Sequence, residues 1–502
     1  MNPDQAYGEL VRLARETSVL ASSLGLLQWD AEICMPRAGV QHRGEQMALL
    51  AGIVHDRATD PRIAELLGDV EGSPLNGDPE SAEAVNVREI RRDFDRATKL
   101  PRRLVEELAR VSALSSQAWS EARDNNDFKS FEPWLDQTFS LAREKADAFG
   151  HQGVRYDALL EDYEPGMTTA QLSALFAQLG RELVPLVDSL RDTPQSIPAQ
   201  MLEKEFPVDR QRAFAEATAD KLGFHIETGR FDLGPHPFCT MIGPGDVRIA
   251  SRYQPRDFPS GFLGVMHETG HALYDLGLDS AHYGTPMGDA VSLGIHESQS
   301  RLWENLVGRS EGFWLHFYPQ LQSEFEESLR DVSLEAFRAA MNHVAPGLIR
   351  VEADEVTYNL HIVIRFELER ALLGGDLKAA DVPGAWAESY QRYLGLTPDS
   401  DRNGCLQDIH WSEGLIGYFP TYTLGNVYAA QLFAAAERAV GPLRYAFAAG
   451  EFRALREWLV ENVHRHGKRY RAPALIEKVT GSPPDTSALI ASLTERYRPG
   501  LR

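Results

Sequence analysis

Residues 264–275 read "GVMHETGHALYD": apolar residues, then His-Glu-Thr-Gly-His, then apolar residues again. His267 and His271 are four residues apart, so on a helix they lie one turn apart on the same face. Two neutral imidazoles so placed reach a single Zn²⁺ at about 2.0–2.1 Å, with Glu268 beside the open coordination position as general base. A polar surface helix would not flank such a motif with Leu263, Val265, Met266, Ala272, Leu273 and Leu276. Among apolar neighbours, two imidazoles and a carboxylate each need a partner, and one metal ion satisfies all three. Gly270, inside the same helix, costs about 1 kcal/mol against Ala. The apolar flanks outweigh it.

A catalytic zinc commonly takes three protein ligands and keeps one position for water. The pattern does not continue as HExxHxxGxxH, because Tyr274 occupies the Gly position. The loop "GLDSAHYGTPMG" ends the first helix, and a second is expected to begin near Asp289 and carry "HESQSRLWEN". Glu297 lies 26 residues after His271, enough for one helix to end and another to return antiparallel beside it. It shares a face with Arg301 and Glu304 at i, i+4 and i+7. Glu297 is therefore the expected third ligand, with Glu304 or Glu352 as the fallbacks. Asp275, one turn after His271, is placed either to orient a ligand imidazole from behind or at the surface.

Outward from this motif the chain reads as mostly helical. Residues 3 to about 225 have helical period, with Leu10, Leu13, Val19, Leu20, Leu24 and Leu27 near one stripe. Pro101 opens a later helix, and a Thr caps "TTAQLSALFAQLGRELVPLVDSLRD". The last part, from about 333 to 502, is helical too. One segment differs: residues 224–253 are rich in Gly, aromatic and β-branched residues. There "CTMIG" and "DVRIAS" flank a Pro-Gly turn signal, which reads as a hairpin. A small sheet next to the metal helix either offers an edge strand to an extended peptide or only packs against the helices.

The whole chain sets broad limits. Its 502 residues contain no Gly/Ser or Pro-rich linker, low-complexity tract or repeat, and 43 % hydrophobic with 25 % charged residues suits a globular protein with a sizeable core. The opening residues are amphipathic, without the apolar core of a signal peptide, and no run of 18 apolar residues exists. Three cysteines without CxxC spacing argue against a disulfide framework. The expected location is the cytoplasm. A net charge of −22, from 51 basic and 73 acidic residues, disfavours nucleic acid and anionic membrane as partners.

With the metal motif placed, the sequence resembles the carboxypeptidase Taq family of metallocarboxypeptidases. The likeness runs along nearly the whole chain. "LQWDAEICMPRAGVQHRGEQMALL" resembles the family's WD…MP…R…Q…L opening. "HPF" (236–238), "DVRIA" (246–250), "HETGH" (267–271), "HESQ" (296–299), "IRVEAD" (349–354) and "GCLQDIHW" (404–411) then follow in the family's order. Ala250 departs from the pattern, standing where the family has Thr. The resemblance implies a mainly α, single large helical domain over residues 1–502, with a long substrate groove and a small β-sheet next to the HExxH helix. Within it the helical N-terminal part runs to about 225, the sheet over about 224–253, the metal-site helices over about 258–310 and the C-terminal helical part over about 333–502. It also implies a homodimer that removes C-terminal amino acids from peptides with a free C-terminus and broad side-chain tolerance.

On this reading His267, His271 and Glu297 hold one Zn²⁺ per chain, or Co²⁺, which the same ligands accept. Glu268 takes the proton of the attacking water and delivers it to the leaving amine. The oxyanion needs further donors, and His410, Tyr418 and Tyr422 are the candidates. An exopeptidase also recognises a free carboxylate, best done by the planar fork of an arginine. Arg350 leads by the family motif and Arg248 is second; the alternative for Arg350 is an ion pair with Glu352 or Asp354. His236 and Asp246 complete the implied substrate contacts. Two competing functions remain: an HExxH endopeptidase or oligopeptidase with an open groove, and a helical scaffold with a structural metal. A structural site is usually closed by four protein ligands and leaves Glu268 without a purpose.

Overall fold

The computed structural model describes residues 1–191 and 202–497. The N-terminal helical stretch read through residue 225 includes residues 192–201, which lie outside the described residues. Two compact units emerge, each assembled from three chain segments: Met1–Thr98, Ile197–Met341 and Leu432–Gly481 in the first, Lys99–Ser196, Asn342–Gln431 and Ser482–Arg502 in the second. Because the chain passes repeatedly from one unit to the other, no single linker exists for composition to mark.

In the first unit the chain starts with a long helix, Pro3–Ile33, whose first turn is fixed by the Asn2 side chain accepting from the Gln5 N–H. Leu10 is buried with Ala6, Ile63, Leu66, Leu67, Val70 and Val87, and Leu13 packs against that cluster. Of the expected apolar stripe Val19 departs, at 55 % exposed, while Leu20, Leu24 and Leu27 are half-buried like Leu13. The next helix, Val40–Ala58, buries none of its residues.

The sheet has three strands, β1 Gly229–Leu233, β2 Phe238–Gly243 and β3 Asp246–Ser251, in the order β1-β3-β2. The β2–β3 pair is the hairpin read from the sequence, antiparallel with Cys239 opposite Ile249, turning at Pro244-Gly245, where Gly245 takes φ 78°. The parallel pairing of β1 with β3 was not legible in the hairpin signal. Val247, Ile249, Ala250 and Ser251 are buried, and the sheet lies against the metal-motif helix, Phe258–Gly277. Asp257 caps that helix at the Ser260 N–H, and Pro259 sits in the first turn, where its missing N–H is harmless. Phe258 and Phe262, stacked 5.4 Å apart, anchor its start among Phe206, Phe214 and Trp314.

The second unit is helical, with Arg102–Asn125, Phe128–Phe149, Thr169–Arg191, Tyr358–Gly374 and Val382–Leu394 as its main rods. Tyr156, Phe176 and Phe366 meet edge to face between them. The expectation of helix throughout the last part fails between Gly395 and Phe419, a run of turns punctuated by Pro398, Gly404, Gly414 and Gly417. Gly414 (φ 75°) and Gly417 (φ 94°) hold left-handed backbone that other residues rarely adopt. Glu369 ties this loop down, accepting from Trp411 Nε1–H at 3.0 Å, the Gly417 N–H at 3.2 Å and the Tyr156 hydroxyl at 2.6 Å.

Candidate active site

In the first unit the helix after the motif helix begins at Leu293 rather than near Asp289, since Ser292 caps it at the Ile295 N–H. It runs to Arg301 and continues into a π-helical turn, Leu302–Val307. Widened turns of this kind are frequent at functional sites. Gly270 lets the two helices approach: a β-carbon there would meet the Gln299 carbonyl oxygen at 2.5 Å. The Pro237 ring of the β1–β2 loop packs at Gly264, on the other side of the motif helix.

This close approach brings His267, His271 and Glu297 together. His267 Nε2 and His271 Nε2 are 3.2 Å apart, and Glu297 Oε2 lies 3.5 and 3.4 Å from them. Three donors on a tetrahedral zinc at about 2.05 Å would be about 3.3 Å from one another. The triangle has that size.

Each donor is held from behind. His267 Nδ1–H donates to Glu304 Oε2 at 2.9 Å, which in the neutral imidazole leaves Nε2 as a lone pair. Arg301 donates through Nε to Glu297 Oε1 at 2.7 Å and through Nη1 to Glu304 Oε2 at 3.1 Å. Ser300 Oγ–H adds a bond to Glu297 Oε2 at 2.9 Å. Behind His271 stands His296, and Asp275 Oδ1 accepts from His296 Nε2 at 2.9 Å. Of the two sequence fallbacks, Glu304 thus stands behind His267 rather than in the donor triangle, and Glu352 is exposed on a short turn of the other unit. Asp275 reaches His296, not a member of the donor triangle.

The charges also favour a cation. Glu268, Glu297 and Glu304 are buried or nearly so, with Arg301 as the cation bonded among them. Burial opposes charge on Glu297, yet Arg301 and His267 hold its carboxyl well below the usual range. Glu304, against the same burial, is held at about 2 by Arg301 and His267. For Glu268, 6 % exposed, desolvation outweighs the pull of His267 and pushes the carboxyl up to about 7. Burial, reinforced by His296, takes His271 down to about 4, the neutral form a metal needs.

Asp246 and Arg248, on β3, form a two-pronged pair at 2.8 Å for both bonds, and the Arg248 guanidinium lies 4.3 Å from the Trp29 ring centre. That ring also stacks on Arg230, so Arg248 spends its fork on Asp246 and its face on Trp29. His236 is exposed in the β1–β2 loop. Ala250 is fully buried.

In the second unit Arg350 is buried and pairs with Asp408, at 2.8 Å from Nε and 2.7 Å from Nη2 to Oδ1, rather than with Glu352 or Asp354. Asp408 Oδ2 also accepts from Arg365 at 2.7 Å. Gln407 Oε1 accepts from the Arg350 backbone N–H and Arg365 Nη2. Two guanidiniums thus share one carboxylate, a buried cluster with one positive charge in excess. His410 Nε2 lies 3.1 Å from the Tyr422 hydroxyl, while its Nδ1 is buried with no partner among the described residues. Burial, outweighing Asp408, brings His410 to about 4 and keeps it neutral. Tyr418 packs tilted against His410 and edge-on against Tyr422.

Sequence reasoning missed Arg365, Gln407 and Asp408 as a network and His296 as a partner of His271. The "QDIHW" and "HES" strings contained three of these residues, but only the fold shows their bonds.

Residues 9–497 match the family model described as the carboxypeptidase Taq (M32) metallopeptidase. The chain is 49 % identical to thermostable carboxypeptidase 1 of Thermus thermophilus over 99 % of both proteins. It is 35 % identical to carboxypeptidase 1 of Bacillus subtilis over 97 % of both. Its fold is similar to the crystal structure of an M32 carboxypeptidase from Deinococcus radiodurans, with a TM-score of 0.95 and 40 % identity over 98 % of this chain and 99 % of that one.

Proposed function

The chain belongs to the carboxypeptidase Taq (M32) family of metallopeptidases, and from that premise we propose that His267, His271 and Glu297 hold one Zn²⁺ per chain for the removal of C-terminal amino acids. The observation that carries this is the donor triangle of 3.2, 3.4 and 3.5 Å. Co²⁺ suits the same donors. A bound Zn²⁺ supplies an acidified water and a polarised scissile carbonyl.

The protein's own groups do the rest. Glu268, with a pKa raised to about 7 by burial, accepts the proton of the attacking water and hands it to the leaving amine nitrogen. Arg350 anchors the free carboxylate of the substrate, because the Arg350–Arg365–Asp408 cluster carries one positive charge more than it neutralises internally. A single carboxylate balances it. The Tyr418 and Tyr422 hydroxyls are the donors assigned to the oxyanion, with His410 Nε2–H donating to the Tyr422 oxygen so that the Tyr422 hydrogen is left for the oxyanion. His236, Asp246 and Arg248 complete the substrate contacts, with Arg248 contributing through its pair with Asp246.

We assign the described units to one peptidase domain, since the family model spans residues 9–497. The substrates are peptides with a free C-terminus, taken with broad tolerance of the terminal side chain. The enzyme works as a homodimer in the cytoplasm. The unburied helix Val40–Ala58, with Leu49 and Ile53 exposed, leaves apolar surface for a second copy, and free Cys34, Cys239 and Cys405 suit a reducing compartment.

The test is mass spectrometry of zinc-loaded protein incubated with a series of peptides in free-acid and C-terminally amidated forms. Stepwise loss from the free C-terminus, across varied terminal residues, is expected. Internal cleavage of amidated peptides at similar rates would instead indicate an endopeptidase.

A further inference from the structure

His271 Nδ1 and His296 Nδ1 stand 2.6 Å apart, and His296 Nε2 stands 2.9 Å from Asp275 Oδ1. We propose that His296, oriented by Asp275, is a positioning residue that sets the tautomer of His271 and thereby the affinity of the metal centre. The inference rests on the reading of His271 as a ligand.

Counting protons along the chain carries the argument. An ionised carboxylate only accepts, so the nitrogen facing Asp275, His296 Nε2, carries hydrogen. With a divalent ion on His271, a further positive charge on the adjoining imidazole is disfavoured, so His296 is neutral and presents a bare Nδ1. Two nitrogens at 2.6 Å need one proton between them, so that proton belongs to His271 Nδ1. His271 Nε2 is thereby left as a lone pair, and it is the atom that faces His267 Nε2 and Glu297 Oε2. Without Asp275, His296 is free to take the opposite tautomer, with hydrogen on Nδ1. It would then donate to His271 Nδ1 and move the His271 proton to Nε2, where a metal cannot bind.

The surroundings hold this order in place. The His296 ring lies 4.5 Å from that of His271 and 5.2 Å, edge-on, from Tyr274, so it cannot turn freely. His267 is supported differently, by the carboxylate of Glu304 directly. The two ligand imidazoles therefore depend on separate partners, and each is open to its own test.

Zinc affinity of the metal-free full-length protein, measured by chelator competition, tests the proposal without reference to turnover. His296→Phe should weaken zinc binding 10- to 100-fold, the usual effect of losing an outer partner. Its metal-free melting temperature should match that of the unmutated protein. His296→Asn, whose Oδ1 can accept where Nδ1 did, should recover most of the affinity. Asp275→Leu leaves His296 in place but frees its tautomer, and should weaken zinc by a second route even if His296→Phe does not fold. Zinc affinity within about threefold of the unmutated protein in both His296→Phe and Asp275→Leu would overturn the proposal, as would His296→Asn binding no better than His296→Phe. His271→Ala separates the two levels: if it loses zinc while the His296 and Asp275 variants do not, only the positioning role fails. If His271→Ala binds zinc normally, the ligand assignment fails and the positioning role with it.

Discussion

The motif helix crosses its partner so closely at Gly270 that any β-carbon there would lie 2.5 Å from the carbonyl oxygen of Gln299. Ser300 Cα is 2.6 Å away, so the obstruction is backbone and cannot swing aside. This contact sets the separation that lets two histidines on one helix and Glu297 on the next share a point. Gly270→Ala should gain up to about 1 kcal/mol of helix propensity. It should lose more to forced separation, with overpacking typically costing about 1–3 kcal/mol. Chemical denaturation and zinc affinity should both fall. A variant as stable as the unmutated protein, with normal zinc affinity, would show that the contact does not set the site.

Glu268→Gln should bind zinc normally and lose about 10²- to 10⁴-fold in kcat, the range of general acid–base catalysis. Gln fills similar space but cannot accept the water's proton. Metal analysis beside single-turnover kinetics checks both halves. Turnover near that of the unmutated protein would remove Glu268 from the role.

Arg350→Lys keeps a cation beside buried Asp408 but loses the planar fork. The protein should fold and bind metal, while kcat/KM on free-acid peptides falls. Arg350→Ala leaves the terminal carboxylate unpaired, a loss of roughly 2–5 kcal/mol, or about 30- to several-thousand-fold. Amidated peptides, already poor substrates, should change little in both variants. Equal losses on acid and amide would move the carboxylate anchor away from Arg350.

The motif helix and the meeting of His267 and His271 on one face were legible because period and spacing are local. Four residues separate His267 from His271, and apolar neighbours on both sides mark the helix as buried. Glu297 followed from the length needed to turn and return. The jobs of Glu304 and Asp275 were less legible, since a carboxylate one or two turns from a donor looks the same in sequence whether it faces a metal or the back of an imidazole. The Arg350–Asp408–Arg365 network joins residues 43 to 58 positions apart, which no local pattern reports. The β1–β3 pairing escaped for a similar reason: a parallel pair needs a crossover, and only the antiparallel hairpin carries a turn signal.

Glu369 should leave a pH signature on stability. Desolvation raises its carboxyl to about 7, against the pull of its Tyr156, Trp411 and Gly417 donors. The folded protein therefore holds a proton that the unfolded chain has lost above about pH 4.3. The stability from this group is fully present below that value and declines as pH rises to about 7. Glu369→Gln cannot titrate, so its stability relative to the unmutated protein should improve steadily from pH 5 to pH 7.5. Parallel denaturation series at fixed zinc concentration provide the check, and a constant difference across that range would contradict it.

Zinc titration of metal-free Glu297→Ala and Glu304→Ala, side by side with the unmutated protein, tests the central claim most directly. The donor triangle predicts that Glu297→Ala loses stoichiometric zinc binding, because only two imidazoles remain. It predicts that Glu304→Ala still binds one zinc per chain, about 10- to 100-fold more weakly, because His267 keeps its bond to the metal and loses only the partner behind it. Normal zinc binding by Glu297→Ala, or a deeper loss in Glu304→Ala than in Glu297→Ala, would contradict the account.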